Sequence, residues 1–456
     1  MTRQRHPADV VTDLRATVSG ALAATPPDTG PLAIALSGGR DSVVLLDALA
    51  AVAPAAGRAL VALHVHHGLS PHADAWERAC ADLCAQRAIP LVTRRVAVPR
   101  PPQASLEAEA RRARYAALVA AACEASAHTV ALAHHRDDQA ETLLLQLLRG
   151  AGPHGLAGMA AWRADTRGVA WWRPLLACPR TTIDAYATAR SLVYVDDESN
   201  ASPRHRRNAV RHVVLPALRA AGFPSAAATL ARAAAHQADA MHLADDLAAL
   251  DARSAYDGNT LARAALRELP LHRARNLLRW FLHARGCPPP PAARLADMLA
   301  QIATARDDAQ VRIVHDHAEI GLHRGRIHVH APLPPPFALA WCGQPDLALP
   351  HGRLRCEFRA PAAGEAAIAA AVVAAGGIEV RLSAGGERLQ RTANRPRRAL
   401  KAILQEAGMP AWERRALPLL VAGGEVIAVP GVGVALRCQA PPGTTGHVVS
   451  WHPAPI

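Results

Sequence analysis

The chain has 456 residues, half of them apolar, enough for about three domains with cores of ordinary size, which excludes a chain disordered throughout. Its 51 basic residues outnumber 38 acidic ones, for a formal charge of +13, and Lys401 is the sole lysine among them. So basic a chain expects a polyanion such as nucleic acid, or an anionic membrane surface, although an arginine-rich genome leaves the same imprint.

Eight cysteines over this length make no disulfide framework, and neither a CxxC pair nor a zinc-knuckle spacing occurs. The start, Met1 to Leu14, is polar, and the longest apolar run, Ala366 to Ala375, is too short to cross a bilayer. A cytoplasmic protein with no membrane association is expected.

From Pro31 to Ala133 apolar runs alternate with helical stretches. Strands are expected at Leu32–Leu36, Ala59–His66, Leu91–Val98 and Thr129–Ala133. Helices are expected at Asp41–Ala53, Ala73–Arg87 and Ser105–Ser126. That alternation predicts a parallel sheet with helices on both faces and a ligand at the carboxyl ends of the strands. Residues 1–215 are taken as this domain. Residues 216–335 follow as a mainly helical domain, with helical segments at Ala226–Leu250, Leu261–Ala284 and Ala292–Ala303. It closes with a hairpin, Glu319–Leu322 and Arg326–His330, turned at Arg324-Gly325. Pro332 to Pro336 reads as a stiff linker. Residues 336–456 are expected to be a small α+β domain of short strands with a helix near Arg398–Ala407.

The sharpest motif is Ser37-Gly38-Gly39-Arg40-Asp41-Ser42, at the junction of the first strand with its helix. Two glycines let the backbone approach a ligand closely, and N–H groups at a helix N-terminus favour an anion. A tight turn with Ser42 as cap is the plainer alternative, and the loop is not a Walker pattern. Further on, Asp138 and Glu141 are three residues apart and share a helix face at the same sheet edge. They suit Mg²⁺ held through phosphate oxygens, with Asp41 and Asp138 as ligands, or an amine substrate; an acidic first turn also complements the helix dipole. Arg111 and Arg114 share a face and suit phosphates or solvent. Arg207, Asn208 and Arg211 suit RNA backbone or an interdomain contact. His66, His67, His134 and His135 cluster at strand ends, as a nucleotide-pocket lining rather than zinc ligands.

From Ile378 onward ten basic residues face five acidic ones. Arg388, Arg391, Arg395, Arg397, Arg398 and Lys401 form a dense basic patch suited to phosphate contact or to solvent. Trp412 suits core packing more than base stacking.

The hexapeptide resembles the pyrophosphate loop of N-type ATP pyrophosphatases. Further segments narrow the resemblance to the tRNA(Ile)-lysidine synthetases. These are His64-Val65-His66-His67-Gly68-Leu69, with His66 where the family has Asn, and Glu107–Tyr115. His134-His135-Arg136-Asp137-Asp138-Gln139-Ala140-Glu141-Thr142 is similar too, as are Leu148–Gly150, Arg173–Leu176, Asp197–Asn200 and Arg207–Arg211. Near the end Gly386–Arg388, Leu400-Lys401, Gly408–Arg414 and Leu417–Leu420 match. Likeness is dense over about residues 30–215, good over 380–435 and weak between.

The resemblance implies an adenine nucleotide α-hydrolase-like first domain and a C–N ligase. ATP, with Mg²⁺, would adenylate the wobble cytidine of a tRNA(Ile) with a CAU anticodon, and L-lysine would displace AMP to give lysidine. Ser37 to Ser42 and His66 would then bind ATP, with Asp41, Asp138 and Glu141 catalytic. Arg111, Arg114, Arg207, Asn208, Arg211, Arg388, Arg397, Arg398 and Lys401 would meet tRNA, and a homodimer is implied. A tRNA thiolase of the same loop class is the runner-up, weakened by the missing cysteine pairs.

Overall fold

The computed structural model describes residues 6–68, 70–98, 106–165, 167–196, 206–306 and 311–454. The motif segment Asp197–Asn200 and Leu69 lie outside them. The chain divides into two compact units, 1–243 and 244–456, with the division inside one helix. Among the described residues no helix is long and apolar enough to cross a membrane.

The first unit runs α1 (Pro7–Ala23), β1 (Leu32–Ala35), α2 (Arg40–Val52), β2 (Leu60–His66), α3 (Ala73–Ala85), β3 (Leu91–Arg95) and α4 (Leu106–Glu124). Next come β4 (Thr129–Ala131), α5 (Arg136–Leu147), the short α6 (Pro153–Leu156), β5 (Trp162–Ala164), β6 (Ala170–Trp172) and α7 (Arg180–Ala189). α8 (Arg206–Ala209), a π turn at Val210–Val214, α9 (Leu215–Ala220) and α10 (Ala226–Ala252) follow. The six strands lie in the order β3-β2-β1-β4-β6-β5, parallel except for β5.

Alternation along β1 shows why both sheet faces are covered. Leu32 and Ile34 enter one core with α1, α2 and α7, and Ala33 enters the other with α4. Cys80 and Cys84, four apart on α3, join the first core, where burial pushes their thiols up to about 12 and about 11. They are packing residues. Buried Asp47 on α2 is hydrogen-bonded by Arg87, Tyr186 and Arg190 and ties α2 to α7.

The second unit holds two cores. The first contains β7 (Thr260–Ala262), α11 (Arg263–Glu268), α12 (Leu271–Ala284) and α13 (Ala292–Thr304), with β8 (Arg312–His315), β9 (Ala318–His323) and β10 (Arg326–His330). Its sheet order is β7-β10-β9-β8. The expected single helical segment Leu261–Ala284 is thus a strand and two helices. Pro270 caps α12 and forces the preceding Leu269 out of helical geometry. The hairpin turn at Arg324-Gly325 has φ of 48° and 71°, the left-handed pair that a two-residue turn needs.

The other core gathers β11 (Ala338–Trp341), β12 (Asp346–Leu349), β13 (Gly352–Arg359), α14 (Ala370–Ala374), β14 (Ile378–Arg381), β15 (Arg388–Leu389) and β16 (Arg398–Ala399). α15 (Leu400–Glu406), α16 (Ala411–Ala416), β17 (Leu419–Ala422), β18 (Glu425–Val429), β19 (Gly433–Val434) and β20 (Gly446–Pro453) complete it. The expected helix Arg398–Ala407 is shortened at its start because Arg398 and Ala399 pair with β15. Trp412 of α16 stacks on His330 at 4.6 Å and lies 5.1 Å from His328. It fits because Gly321 has no side chain: a Cβ there would meet the ring at 2.5 Å. Trp412 therefore packs the two cores together.

Candidate active site

β1 ends where the chain must turn into α2. Gly38 takes a φ of +85°, and a Cβ there would sit 3.2 Å from Cys80 Sγ. Val195 supports the loop from outside, its N–H donating to Gly38 O at 2.9 Å while it bridges Gly39. Ser42 Oγ donates to Gly39 O at 2.8 Å and accepts from Ser37 N at 3.2 Å, and the two serine hydroxyls lie 3.1 Å apart. His64 Nδ1 donates to Leu36 O at 2.9 Å and secures the strand end. The loop is thus preorganised, with the α2 N-terminus behind it. Arg40 pairs with Asp184 at 2.6 Å and its Nε also donates to Asp41 Oδ1 at 3.4 Å, while the Asp41 side chain stays 35 % exposed.

β4 is the neighbour of β1, so the start of α5 comes beside the loop. Fully buried His135 stands between them. Its Nε2 lies 3.4 Å from Asp138 Oδ2 and 3.7 Å from Asp41 Oδ2, and its backbone N–H donates to Asp138 Oδ2 at 3.0 Å. Burial opposes charge on all three groups, but the attraction between His135 and each carboxylate, aided by Arg40 at Asp41, is stronger. The His135 pKa is raised, Asp41 is lowered, and Asp138 is held down to about 2 with help from Arg207.

Glu141 lies on the same face of α5 as Asp138. Arg207 and Arg211, expected to meet RNA or another domain, put their guanidinium groups on this acidic pair. Arg207 donates to Glu141 at 2.8 Å and to Asp138 at 2.9 Å; Arg211 donates to them at 2.6 Å and 3.1 Å. Asn208 is buried between the two in sequence.

Asp41 has the hard, accessible oxygens that Mg²⁺ takes together with substrate phosphates. The oxygens of Asp138 are engaged by Arg207, Arg211 and His135. Arg40 and His135 lie on the Asp41 oxygens as well, so Asp41 is the more exposed of the two carboxylates, Asp41 and Asp138, that would hold Mg²⁺.

His66, at the end of β2, lies 3.2 Å from Asp74, and with Glu77 the three bring ligand atoms within 4.8 Å of one another. Arg95 already pairs with both carboxylates, at 2.9 and 2.6 Å. Arg111 and Arg114 are exposed on α4 beside Tyr115. In the second unit Arg397 pairs with Glu425 and Arg398 with Glu406. Arg388, exposed, donates to Arg397 O at 2.9 Å, and Lys401 is exposed on α15. Sequence patterns did not single out Val195 or Asp184, which hold the loop. Nor did they show His135 as the link between Asp41 and Asp138; its place directly before the acidic helix was the available signal.

Comparison with known proteins accounts for both units. The PP-loop domain family matches residues 15–218, the TilS substrate binding domain 261–328 and the TilS substrate C-terminal domain 378–451. The tRNA(Ile)-lysidine synthase of Azoarcus sp. (strain BH72) is 42% identical over 93% of this chain and 92% of its own length. That of Nitrosomonas europaea is 40% identical over 93% and 92%. Among solved structures, the U34-tRNA thiolase NcsA from Methanococcus maripaludis resembles the chain at 16% identity and a TM-score of 0.43, over 50% of this chain and 78% of its own; likeness at that level bears on neither fold nor substrate. With a pyrophosphate-type loop, an acidic helix beside it and relatives of this identity along nearly its whole length, the chain belongs to the tRNA(Ile)-lysidine synthase family.

Proposed function

We propose that this chain joins L-lysine to C2 of the wobble cytidine of a tRNA(Ile) with a CAU anticodon, at the expense of ATP. The base O2 attacks the α-phosphorus of ATP and pyrophosphate leaves. The lysine ε-amine then attacks C2, its proton is lost, and AMP departs with the former O2. Lysidine, AMP and pyrophosphate are the products, and the codon read changes from AUG to AUA. A cytoplasmic location accords with a tRNA substrate.

The observation that carries this proposal is the loop of Ser37 to Ser42, its hydroxyls and N–H groups gathered at the start of α2 with Asp41 facing His135. Such a cradle favours the charge that grows on departing pyrophosphate. Mg²⁺ on Asp41 would supply further positive charge to the phosphates when bound. His135 keeps Asp41 oriented. Asp138, held ionised by His135 and Arg207, and Glu141 on the same helix face suit the cationic end of lysine and a proton acceptor for its amine. His66 lies at the strand edge that would meet the nucleotide. Arg388, Arg397, Arg398 and Lys401 suit the tRNA backbone.

The test uses purified protein, Mg-ATP, labelled lysine and a tRNA(Ile) transcript with a CAU anticodon, beside Asp41→Ala. Lysine on the wobble cytidine, weighed by mass spectrometry and absent in the variant, is expected. Pyrophosphate release without lysine transfer would overturn the nucleophile and point to a sulfur donor.

A further inference from the structure

The hairpin of β9 and β10 carries a ladder of polar residues on the face turned away from its apolar core. Arg326 pairs with His323, His328 with Gly321 and His330 with Glu319, while Ile320, Leu322, Ile327 and Val329 fill the core on the other face. The middle rung is half empty, because Gly321 has no side chain. Trp412 of α16 fills it with its six-membered ring: a Cβ on Gly321 would meet Cζ3 at 2.5 Å and Cη2 at 2.9 Å. His330 stacks on Trp412 with the ring planes 6° apart, and His323 meets it edge-on at 6.2 Å. One face of the indole is thus taken by His330, which makes it a packing group rather than a platform for a base.

The turn before α16 makes a second contact with the same hairpin. Gly408, just after α15, takes a φ of +75° and its O accepts from His323 Nε2 at 2.9 Å; a Cβ there would meet Arg324 of the hairpin turn at 2.6 Å. α16 is anchored in its own core as well. His351 Nε2 donates to Ala416 O at 2.6 Å, and Met409 and Leu417 pack into that core on either side of the helix in sequence. No sheet among the described residues includes strands of both cores. The chain between them, residues 331–337, has no secondary structure and is mostly exposed. Such a tether limits distance but not orientation. The joint at Trp412 supplies the orientation that the tether leaves free.

A CAU anticodon reads AUG before modification, so the tRNA to be modified shares its anticodon with the tRNA that reads AUG. Selection must then use parts of the tRNA remote from the anticodon. Two contact regions measure an RNA of fixed shape only if their own spacing is fixed in advance. We infer that Trp412, seated over Gly321, is a positioning residue for tRNA selection. It fixes the basic patch of Arg388 and Lys401 relative to the middle core, which the substrate binding domain family matches, so that both meet one tRNA at once. This rests on tRNA being the substrate.

The full-length enzyme is assayed with ATP, L-lysine and two transcripts, tRNA(Ile) with a CAU anticodon and the tRNA that reads AUG. Trp412→Ala is expected to raise KM for tRNA(Ile) roughly ten-fold and to cut the preference over the second transcript by a similar factor, because the preset spacing is lost. kcat at saturating tRNA, KM for ATP and KM for lysine should stay as in the wild type, and Trp412→Phe should restore most of the preference. Gly321→Ala, whose Cβ must push the ring out, should reproduce the loss in the wild-type background and add nothing to Trp412→Ala. Additive effects of the two substitutions would overturn the joint. So would a fall in kcat with KM unchanged, or an unaltered preference in Trp412→Ala. If Trp412→Ala does not fold, Gly321→Ala decides, its loss being relieved by the smaller ring of Trp412→Phe. Failure of the wild type to modify either transcript would instead refute tRNA as the substrate, a result distinct from a wild type that selects and a variant that does not.

Discussion

Arg211 holds Glu141 by both carboxylate oxygens, Nε at 2.6 Å from Oε1 and Nη2 at 3.0 Å from Oε2, on a carboxylate only 1 % exposed. A buried charge that loses its partner costs about 3–5 kcal/mol, and Arg207 remains to share the load. Arg211→Met should therefore lower the unfolding free energy by about 2 kcal/mol, measured by urea denaturation. Adding Glu141→Leu should restore part of the loss, because the unpaired charge is then gone. Both variants should be inactive. A double variant less stable than Arg211→Met would place the cost elsewhere.

Gly38 carries two separate constraints, its positive φ and the nearness of Cys80. Gly38→Ala should cost about 1–2 kcal/mol in backbone strain. It should raise KM for ATP more than it changes stability, since the loop must shift. Adding Cys80→Ala relieves the contact but not the dihedral, so ATP affinity should stay low. Recovery in the double variant would show that crowding, not φ, excludes a side chain.

His328 supplies a pH dependence outside the catalytic unit. Burial lowers its pKa to about 4, with His323, His330 and Arg326 adding repulsion, Asp257 opposing, and Trp412 packed on the ring. Between the unfolded value near 6.5 and about 4, the unfolded chain takes up a proton that the folded chain refuses. Stability is therefore complete above 6.5 and falls as the pH drops through this window. Solvent around a partly exposed ring limits the loss to about 1 kcal/mol between neutral pH and 5. Urea unfolding at the two values should show that loss in the wild type and a smaller one in His328→Gln. Identical pH slopes would remove His328 from the account.

The arginines of the C-terminal basic patch differ in what remains for an RNA. Arg398 is committed to Glu406 and Arg397 to Glu425, whereas Arg388 and Lys401 have no carboxylate partner among the described residues. Arg388→Ala and Lys401→Ala should each reduce the slope of log affinity for tRNA against log salt by about 1. Arg398→Ala should reduce it less. A larger change for Arg398 would mean that RNA displaces Glu406.

Local chemistry was legible in the sequence wherever spacing alone sets geometry. Ser37 to Ser42 reads as a strand-to-helix anion loop because glycine and helix-start chemistry act within six residues. Asp138 and Glu141 share a face because a helix repeats every 3.6 residues, and Arg324-Gly325 turns a hairpin because both must take positive φ. The alternating runs from Leu32 to Ala131 sufficed for a parallel sheet. Partners far apart in the chain were not legible. Arg207 and Arg211 reach back 66 and 70 residues to Glu141, His135 meets Asp41, and Trp412 fills the space over Gly321. Those contacts follow from the strand order, which sets β4 beside β1 and sends β2 and β3 to the other side. No local periodicity encodes that order. The helix and strand residues determine which faces are apolar, but only packing those faces together decides which charged side chains lose their water and must find each other.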